Sequence, residues 1–201
     1  MYGRRKNTAA KIKKREVMLV KFREKAVLMD GEAAKRAVSR MAYEIIEKNN
    51  GPHDLVFIGI QTKGVYLARA IIERIKELEG IEPPLGTLDI TFYRDDLTRL
   101  NEHPVVKGSD IPFPVEDKKI VLVDDVLYSG RTIRAAIEEL FDLGRPKLVR
   151  LAVLIDRGNR ELPFRADYIG RDVPTSKSEY IEVTVSGTST IDRVAIAEID
   201  N

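Results

Sequence analysis

The chain has 201 residues, no cysteine and two histidines, His53 and His103. The lack of cysteine excludes disulfides, thiolate metal sites and cysteine nucleophiles, and two histidines argue against a histidine-rich metal site or a Ser/His triad. The length favours a single domain with a substantial core, no apolar stretch is long enough to span a membrane, and the composition fits a cytoplasmic protein.

Positive charge is concentrated at the amino terminus. Residues 1–25 contain ten Lys or Arg against two Glu, a net charge of +8, whereas the remainder has 24 basic against 30 acidic residues, a net charge of −6. Such a segment is typical of nucleic-acid contact or of a solvated extension, including a stretch upstream of a true start at Met18. We expect residues 1–24 to be a disordered, solvated extension and residues 25–201 to form the domain.

The body of the chain alternates helix and strand patterns. Asp30 is a capping residue for a first helix that ends near Lys48, before Asn50-Gly51-Pro52. The later pattern predicts helices at residues 65–78 and 133–143, and strands at residues 55–60, 85–93, 120–123, 147–155, 180–185 and 194–199. Strands that alternate with helices imply an α/β fold with a mainly parallel sheet and right-handed crossovers.

Residues 94–114 form a long stretch without a helix or strand pattern. They are polar and interrupted by Gly and Pro, which predicts a mobile loop. A long loop inside a compact domain is usually functional, although its charges alone are equally typical of a plain surface loop.

The most informative stretch is IVLVDDVLYSGRT, residues 120–132. Its apolar run suits a strand covered on both faces, and Asp124 and Asp125 follow at the carboxyl end, where open α/β sheets bind ligands. Gly130 permits a sharp turn, and the next helix begins with backbone N–H groups that bind anions. Two acids beside such a nest suit a ligand with a sugar diol and a phosphate. The acids alone would indicate only a loop, and no Gly-Lys-Ser/Thr ending marks a Walker A loop.

This stretch resembles the signature of the type I phosphoribosyltransferases, which bind 5-phosphoribosyl 1-pyrophosphate (PRPP). The resemblance implies their fold, a central, mainly parallel sheet flanked by helices with a small hood. It also implies that Asp124 and Asp125 hold the ribose 2′ and 3′ hydroxyls. The residues implied to wrap the 5′-phosphate are Val126, Leu127, Tyr128, Ser129, Gly130, Arg131 and Thr132.

A second loop between a strand and a helix is GIQTKG, residues 59–64. It is similar to the pyrophosphate loop of the same enzymes, which implies that Thr62 and Lys63 face the diphosphate and that Gly64 permits close backbone approach. Related enzymes often have a cis non-proline peptide here, expected near Thr62–Lys63. Without the resemblance, an ordinary turn with a solvated Lys63 would explain the pattern.

The long loop gains a role through the same resemblance. Such loops close over PRPP and exclude water during transfer. Arg94 is expected to neutralise the departing pyrophosphate. The predicted catalytic residues are therefore Arg94, Asp124 and Asp125.

Several separated segments are similar to one family in particular, the PyrR proteins, which combine pyrimidine-operon attenuation with uracil phosphoribosyltransferase activity. The similarity runs from about Lys25 to the C terminus and includes DITFYRDDL, VKGSDIPF, LVDDVLYSGRT, DRGNRELPFRADYIG and PTSKSE. It implies a base-binding hood, mainly residues 156–180. The base-binding candidates are Asp156, Arg157 and Val173.

Three positions differ from related enzymes, and the first of them bears on the choice of base. The 6-oxopurine phosphoribosyltransferases carry a carboxylate, which interacts with the purine N7, where this chain has Tyr128. That difference argues against a purine, and the resemblance implies uracil. Lys63 stands where the family usually has Arg, which makes pyrophosphate contact less bidentate, and Ser129 keeps the hydroxyl of the usual Thr.

The RNA face of the family is only partly matched. RNA-binding members carry a Thr and a His on the first helix and a His in the hood, where this chain has Ser39, Tyr43 and Asn159. The candidates for RNA contact are Arg36, Ser39, Arg40, Tyr43, Arg160, Arg165 and Arg171.

The predicted function is thus a uracil phosphoribosyltransferase that also regulates pyrimidine genes by binding leader mRNA in response to UMP or UTP. Mg²⁺ is the implied cofactor, bound mainly through PRPP without a dedicated protein site. A homo-oligomer, a dimer or larger, is expected. The alternatives are the enzyme without RNA binding and a nucleotide-sensing regulator with little catalysis.

Overall fold

The computed structural model describes residues 22–91 and 108–199. Its strands form a five-stranded parallel sheet and a three-stranded antiparallel sheet. In chain order the elements are β1 (Phe22–Asp30), α1 (Gly31–Asn49), β2 (Leu55–Ile60), α2 (Lys63–Glu79), β3 (Leu85–Leu88), β4 (Lys119–Leu127), α3 (Arg131–Leu143), β5 (Leu148–Asp156), β6 (Tyr168–Asp172), β7 (Glu179–Ser186) and β8 (Thr190–Ile199).

The main sheet has the strand order β3-β2-β4-β5-β6, with every pair parallel. The predicted α/β class with a mainly parallel sheet is confirmed. From β2 the chain moves outward to β3 and then returns to β4 on the other side. The sheet therefore has a topological switch point between β2 and β4, where open α/β sheets bind ligands at the carboxyl ends of their strands.

Helices cover both faces of the main sheet because alternate side chains of each strand point to opposite faces. In β4, Val121 and Val123 belong to a core that includes residues of α1 and α2, whereas Ile120 and Leu122 belong to a core that includes residues of α3. The strand is buried on both sides, which explains its continuous apolar run.

Helix α1 begins where its sequence predicts. The Asp30 carboxylate accepts a hydrogen bond from the Ala33 N–H at 2.7 Å, which satisfies one of the free donors of the first turn. The helix ends at Asn50, whose φ of 57° is left-handed and whose N–H bonds back to the carbonyl of Glu47.

The small sheet has the strand order β1-β8-β7 and pairs a strand from the beginning of the described chain with strands from its end. Strand β1 pairs antiparallel with β8, from Phe22 opposite Ile199 to Asp30 opposite Arg193. The sequence pattern did not predict β1, and residues 22–24 of the expected extension belong to it. Residues 1–21 lie outside the described residues.

Several strands differ from the prediction, and β8 begins at Thr190 rather than at residue 194. Strand β3 stops at Leu88 rather than at residue 93, because the Asp89 carboxylate accepts a hydrogen bond from the Thr91 N–H at 3.0 Å and turns the chain. Strand β4 continues to Leu127. Part of the expected hood, Tyr168–Asp172, is β6, an edge strand of the main sheet paired with β5. Among the described residues, no helix is both long enough and apolar enough to cross a membrane.

Candidate active site

The two predicted PRPP loops meet at the switch point. Lys63 opens α2 directly after β2, and Asp125 lies near the carboxyl end of β4. The Lys63 Nζ is 3.9 Å from the Asp125 Oδ2. The two side chains that the sequence predicts to contact the diphosphate and the ribose therefore lie side by side.

Gly64 allows this close approach. A Cβ atom at Gly64 would lie 2.4 Å from the carbonyl oxygen of Val123 and 3.1 Å from the Cα of Asp124. No side chain fits there, so the start of α2 packs directly on the backbone of β4. The loop also contains a cis peptide bond, between Gln61 and Thr62 rather than one residue later as expected.

The paired carboxylates have different surroundings. Asp124 is 7% exposed, and its Oδ1 accepts a hydrogen bond from the Asp125 N–H at 2.9 Å. Asp125 has a side chain that is 21% exposed. Burial raises the pKa of Asp125 above its ordinary value, and the attraction of Lys63 opposes that rise. Asp125 is thus the carboxylate that remains open to a ligand.

The turn after β4, predicted as the phosphate loop, is shorter than the sequence pattern indicates. Val126 and Leu127, expected to wrap the phosphate, are strand residues that pair with Ile155 and Asp156 of β5, because β4 does not stop at the acids. The turn itself is formed by Tyr128, Ser129 and Gly130, and Gly130 has a φ of 93°.

Helix α3 follows this turn at Arg131 and Thr132. It begins without a capping side chain and without an acid in its first turn. The first backbone N–H groups of a helix carry partial positive charge and lack partners within the helix. The start of α3 is therefore suited to hold a phosphate.

The segment after β5 packs around the phosphate loop. The carbonyl of Ser129 accepts hydrogen bonds from the N–H groups of Glu161 at 3.0 Å and Leu162 at 2.9 Å. Arg160 donates to the carbonyl of Tyr128 at 2.7 Å and also contacts the Asp156 carboxylate. The conformation of this segment is therefore coupled to that of the loop.

The three base-binding candidates lie together at the end of β5. The carbonyl of Asp156 accepts from the Val173 N–H at 2.8 Å, and its carboxylate accepts from the Gly158 N–H at 3.0 Å. Val173 is buried, at 8% exposed. Asp156 is therefore engaged within its own segment, and its role toward a base stays a prediction.

Arg157 connects the phosphate loop to the segment before β7. Its guanidinium carbon lies 4.1 Å from the centroid of the Tyr128 ring, a cation–π geometry. It also donates hydrogen bonds to the hydroxyl of Thr175 at 2.9 Å and to the carbonyls of Ser176 at 3.0 Å and Glu179 at 2.6 Å. Burial lowers the pKa of Arg157 from its ordinary value. The sequence prediction found the residue but not this contact with Tyr128.

Comparison with known proteins identifies the relatives of this chain. The family model for the phosphoribosyl transferase domain matches residues 26–185. The bifunctional protein PyrR of Acetivibrio thermocellus is 57% identical over 177 residues, 88% of this chain and 96% of the relative. The PyrR of Caldicellulosiruptor bescii is 55% identical over 180 residues, 90% of this chain and 97% of the relative.

The chain belongs to the PyrR family. The predicted family is confirmed, and with it the prediction of a phosphoribosyltransferase with a second function.

Solved structures agree on the fold. A hypoxanthine-guanine phosphoribosyltransferase from Bacillus anthracis superposes with a TM-score of 0.65, at 19% identity, over 88% of this PyrR chain and 99% of the other. At that identity the match concerns the fold alone, which is the type I phosphoribosyltransferase fold.

Three of the RNA candidates of this PyrR chain are arginines in or beside α1 and β6. Arg40 of α1 donates to the carbonyl of Gly170 in β6, and Arg171 donates to the carbonyl of Leu28 in β1. Arg36 is exposed one turn before Arg40. These three arginines therefore lie on one side of the molecule, where α1 meets β6.

The remaining candidates differ in their availability. Tyr43 is 53% exposed on α1, with the Arg74 guanidinium 5.7 Å from its ring centroid. Arg165 is exposed and Ser39 is half-buried. Arg160 belongs to the contacts around the phosphate loop described above.

Arg94, the third predicted catalytic residue, lies outside the described residues, as do all of residues 92–107. Its role stays a prediction.

Proposed function

We propose that the protein transfers the phosphoribosyl group of PRPP to uracil. A bond forms between uracil N1 and ribose C1, the bond from C1 to the pyrophosphate oxygen breaks, and the N1 proton leaves, which gives UMP and pyrophosphate. The observation that carries this proposal is the convergence of Lys63 and Asp125 at the switch point, with 3.9 Å between Nζ and Oδ2.

The chain contributes mainly by positioning and by charge. The transition state is oxocarbenium-like at C1, so the leaving pyrophosphate gains negative charge as the bond breaks. Lys63 supplies positive charge beside the diphosphate, and Asp125 accepts hydrogen bonds from the ribose diol. The start of α3 holds the 5′-phosphate, which aligns C1 with the base.

Mg²⁺ fits this site as a partner of the diphosphate. The part of the chain that the structure describes contains no cluster of three His, Asp or Glu that could hold a metal by itself. Mg²⁺ in phosphate-transfer sites keeps several waters and uses one or two carboxylates together with substrate phosphates. Asp124 and Asp125 are the nearest carboxylates for that role, and the bound ion would offset negative charge on the diphosphate.

Uracil is the expected base. Tyr128 stacks against Arg157 instead of presenting a carboxylate to a purine N7, and the relatives at 53–57% identity are PyrR proteins.

A radiolabelled-base assay tests both parts of this proposal. With PRPP and Mg²⁺, labelled uracil is expected to give UMP, and hypoxanthine, guanine and orotate are expected to react far less. A chelator such as EDTA should stop the reaction, and added Mg²⁺ should restore it. Faster turnover of a purine or of orotate would contradict the base assignment.

The second proposed function is regulation of pyrimidine genes through leader mRNA, with UMP or UTP as the signal. The relatives are named bifunctional, which favours this reading over an enzyme without a regulatory role. Arg36, Arg40 and Arg171 supply positive charge on one side of the folded body, suited to phosphate contacts.

RNA binding has two separable sources in this chain. The body would bind with sequence preference, whereas the basic residues 1–17 would bind any RNA in a strongly salt-dependent way. A chain that starts at Met18 keeps all of β1, so it separates the two sources.

Gel-shift measurements with this truncated chain should retain a preference for leader RNA over scrambled RNA, and UMP should change that preference. Arg36→Glu should weaken leader binding about tenfold, because it reverses one phosphate contact. Arg145→Glu is the control, since Arg145 is exposed in the turn between α3 and β5, and its carbonyl accepts a hydrogen bond from the Asp117 N–H just before β4. Equal binding of scrambled RNA, or loss of all binding on truncation, would contradict the regulatory function.

The predicted homo-oligomer, a dimer or larger, stays a prediction. Sedimentation velocity over a range of protein concentrations would measure it.

A further inference from the structure

The buried carboxylate of Asp89 contacts residues on both sides of the segment 92–107. Asp89 is 8% exposed and directly follows β3. Its Oδ1 accepts hydrogen bonds from the N–H and the hydroxyl of Thr91 at 3.0 and 2.5 Å, and its Oδ2 accepts from the Gly108 N–H at 3.0 Å. One carboxylate therefore holds both ends together.

Ser109 extends this cluster to α3. Its hydroxyl oxygen accepts a hydrogen bond from the Asp89 N–H at 2.9 Å, and the hydroxyl donates to the Glu139 Oε1. Glu139 is 8% exposed, and its second carboxylate oxygen is buried without a hydrogen-bond partner. We call Asp89, Thr91, Gly108, Ser109 and Glu139 the clasp.

The clasp is connected to the pyrophosphate loop by Gln61. The side-chain amide of Gln61 donates to the carbonyl of Gly108 at 2.9 Å, and its backbone N–H donates to the carbonyl of Leu88 at 2.9 Å. Gly108 thus donates to Asp89 and accepts from Gln61. Lys63 follows two residues later, so the position of Gly108 helps to set the position of Lys63.

The buried acids of the clasp lower the stability of the fold. Burial raises the pKa of Glu139 above its ordinary value, and the nearby negative charge of Asp89 adds to the rise. Glu139 has one carboxylate oxygen without a hydrogen-bond partner, and a buried acid that is not fully paired destabilises the fold relative to apolar packing. Natural proteins tolerate such local costs mainly at functional sites.

We propose that Asp89 and the rest of the clasp are positioning residues for the diphosphate of PRPP. They hold Gly108 against Gln61, which fixes the pyrophosphate loop so that Lys63 stays beside Asp125. The inference rests on the proposed function, because it assigns the role of the clasp within that reaction. It predicts a specific pattern: ligands with a diphosphate depend on the clasp, and UMP, which lacks a diphosphate, does not.

The test compares Asp89→Asn with Asp110→Asn. An amide at position 89 replaces one acceptor oxygen with a donor, so the carboxamide cannot hold both Thr91 and Gly108. Asp110 is an exposed acid of the same type, and its link to Thr87 uses only backbone atoms, at 2.7 and 2.9 Å. Ser109→Ala is a second variant with little risk to folding, since it removes one hydroxyl.

Titration calorimetry with PRPP, pyrophosphate and UMP gives the main measurement. Asp89→Asn is expected to weaken PRPP and pyrophosphate binding about tenfold, or about 1.4 kcal/mol, and Ser109→Ala about threefold. UMP affinity is expected to stay within twofold in both variants. Asp110→Asn should match the wild type for all three ligands.

Hydrogen exchange provides a measurement that does not depend on ligand. In Asp89→Asn at least one of the amides of Thr91 and Gly108 should exchange at least tenfold faster, because the carboxamide keeps only one of the two acceptor oxygens, while the amides of β4 stay unchanged. Unchanged exchange rates at both amides would contradict the proposed role of the clasp.

The remaining outcomes are equally decisive. If both variants bind PRPP as Asp110→Asn does, or if they weaken UMP as much as PRPP, the positioning role is wrong. If the wild type makes no UMP from uracil and PRPP, the proposed function fails instead. In that case, pyrophosphate binding and hydrogen exchange would still test the positioning role of the clasp.

Discussion

Replacing Asp125 with Asn is expected to lower kcat/KM for PRPP by roughly 10²–10³-fold at neutral pH. The carboxylate is expected to accept two hydrogen bonds from the ribose diol, and each bond to a charged group contributes roughly 1.5–3 kcal/mol. Steady-state kinetics with varied PRPP measures the loss. Asp54→Asn is the control, because Asp54 forms an exposed ion pair with Lys119 at the amino ends of β2 and β4, whereas Asp125 lies near the carboxyl end of β4.

The same substitution is expected to raise thermal stability at neutral pH. Burial raises the pKa of Asp125 in the folded state above its ordinary value of 3.8. The unfolded chain therefore loses this proton at a lower pH than the folded chain, and the stability of the wild type falls as pH rises through that interval. Asn carries no charge, so it lacks this penalty.

Thermal unfolding between pH 3 and pH 8 tests the sign. The Tm of the Asn variant should exceed that of the wild type at pH 7, and the difference should vanish near pH 3, where Asp125 is protonated in both states. A lower Tm for the variant at pH 7 would mean that the attraction of Lys63 outweighs burial. An unchanged kcat/KM would remove Asp125 from the site. A variant that is less active but more stable than the wild type would show that the Asp125 carboxylate serves ligand binding rather than stability.

The central strands were predictable because they are buried on both faces. Residues 55–60 and 120–123 are continuous apolar runs, and each appears as a strand within β2 or β4. Two of the edge strands, β1 and β6, were not predicted. Both β1 and β6 include charged residues and are partly exposed. Strand β1 also depends on a partner, β8, near the other end of the chain, and a local pattern cannot report such a distant partner.

The end of β4 was misplaced for a related reason. Acids are rare inside strands, so Asp124 and Asp125 were interpreted as the start of a loop. Their ladder continues because β5 extends alongside, with Val126 opposite Ile155 and Leu127 opposite Asp156. The length of the neighbouring strand decided the boundary.

The loops of the site were easier to predict than the contacts between them. Gly64 and Gly130 mark places where the backbone needs close approach or a positive φ, and such needs are visible in sequence. The distance between Lys63 and Asp125 depends instead on the order and register of β2 and β4, which the local pattern did not contain. The stacking of Arg157 on Tyr128 likewise depends on the alignment of β4 with β5.

Replacing Arg157 with Ala is expected to cost about 3 kcal/mol of unfolding free energy. Arg157 is 5% exposed and donates to the carbonyls of Ser176 and Glu179. Its loss leaves two carbonyl acceptors without their partner, and each such group costs about 1–3 kcal/mol when water cannot replace the donor. The stack on Tyr128, with 4.1 Å between guanidinium carbon and ring centroid, is lost as well.

Urea unfolding of three variants separates packing from charge. Arg157→Lys keeps the charge but lacks the planar fork that reaches several acceptors, so it should lose about half as much stability as Arg157→Ala. Arg134→Ala is the control, since Arg134 forms a helical i,i+4 pair with the exposed Glu138 and should cost less than about 0.5 kcal/mol. A loss for Arg157→Ala no larger than this control would show that the segment before β7 is held without Arg157.

The kinetic consequence distinguishes Arg157 from a general support of the fold. Tyr128 lies in the phosphate loop, and Val173 lies between Asp156 and the segment that Arg157 holds. At a temperature where Arg157→Ala remains folded, the KM for uracil is expected to rise about tenfold, with a smaller change in the KM for PRPP. The reason is that Lys63 and Asp125 keep their own positions in β2, α2 and β4. Equal rises in both KM values would place Arg157 in the support of the whole site rather than of its base side.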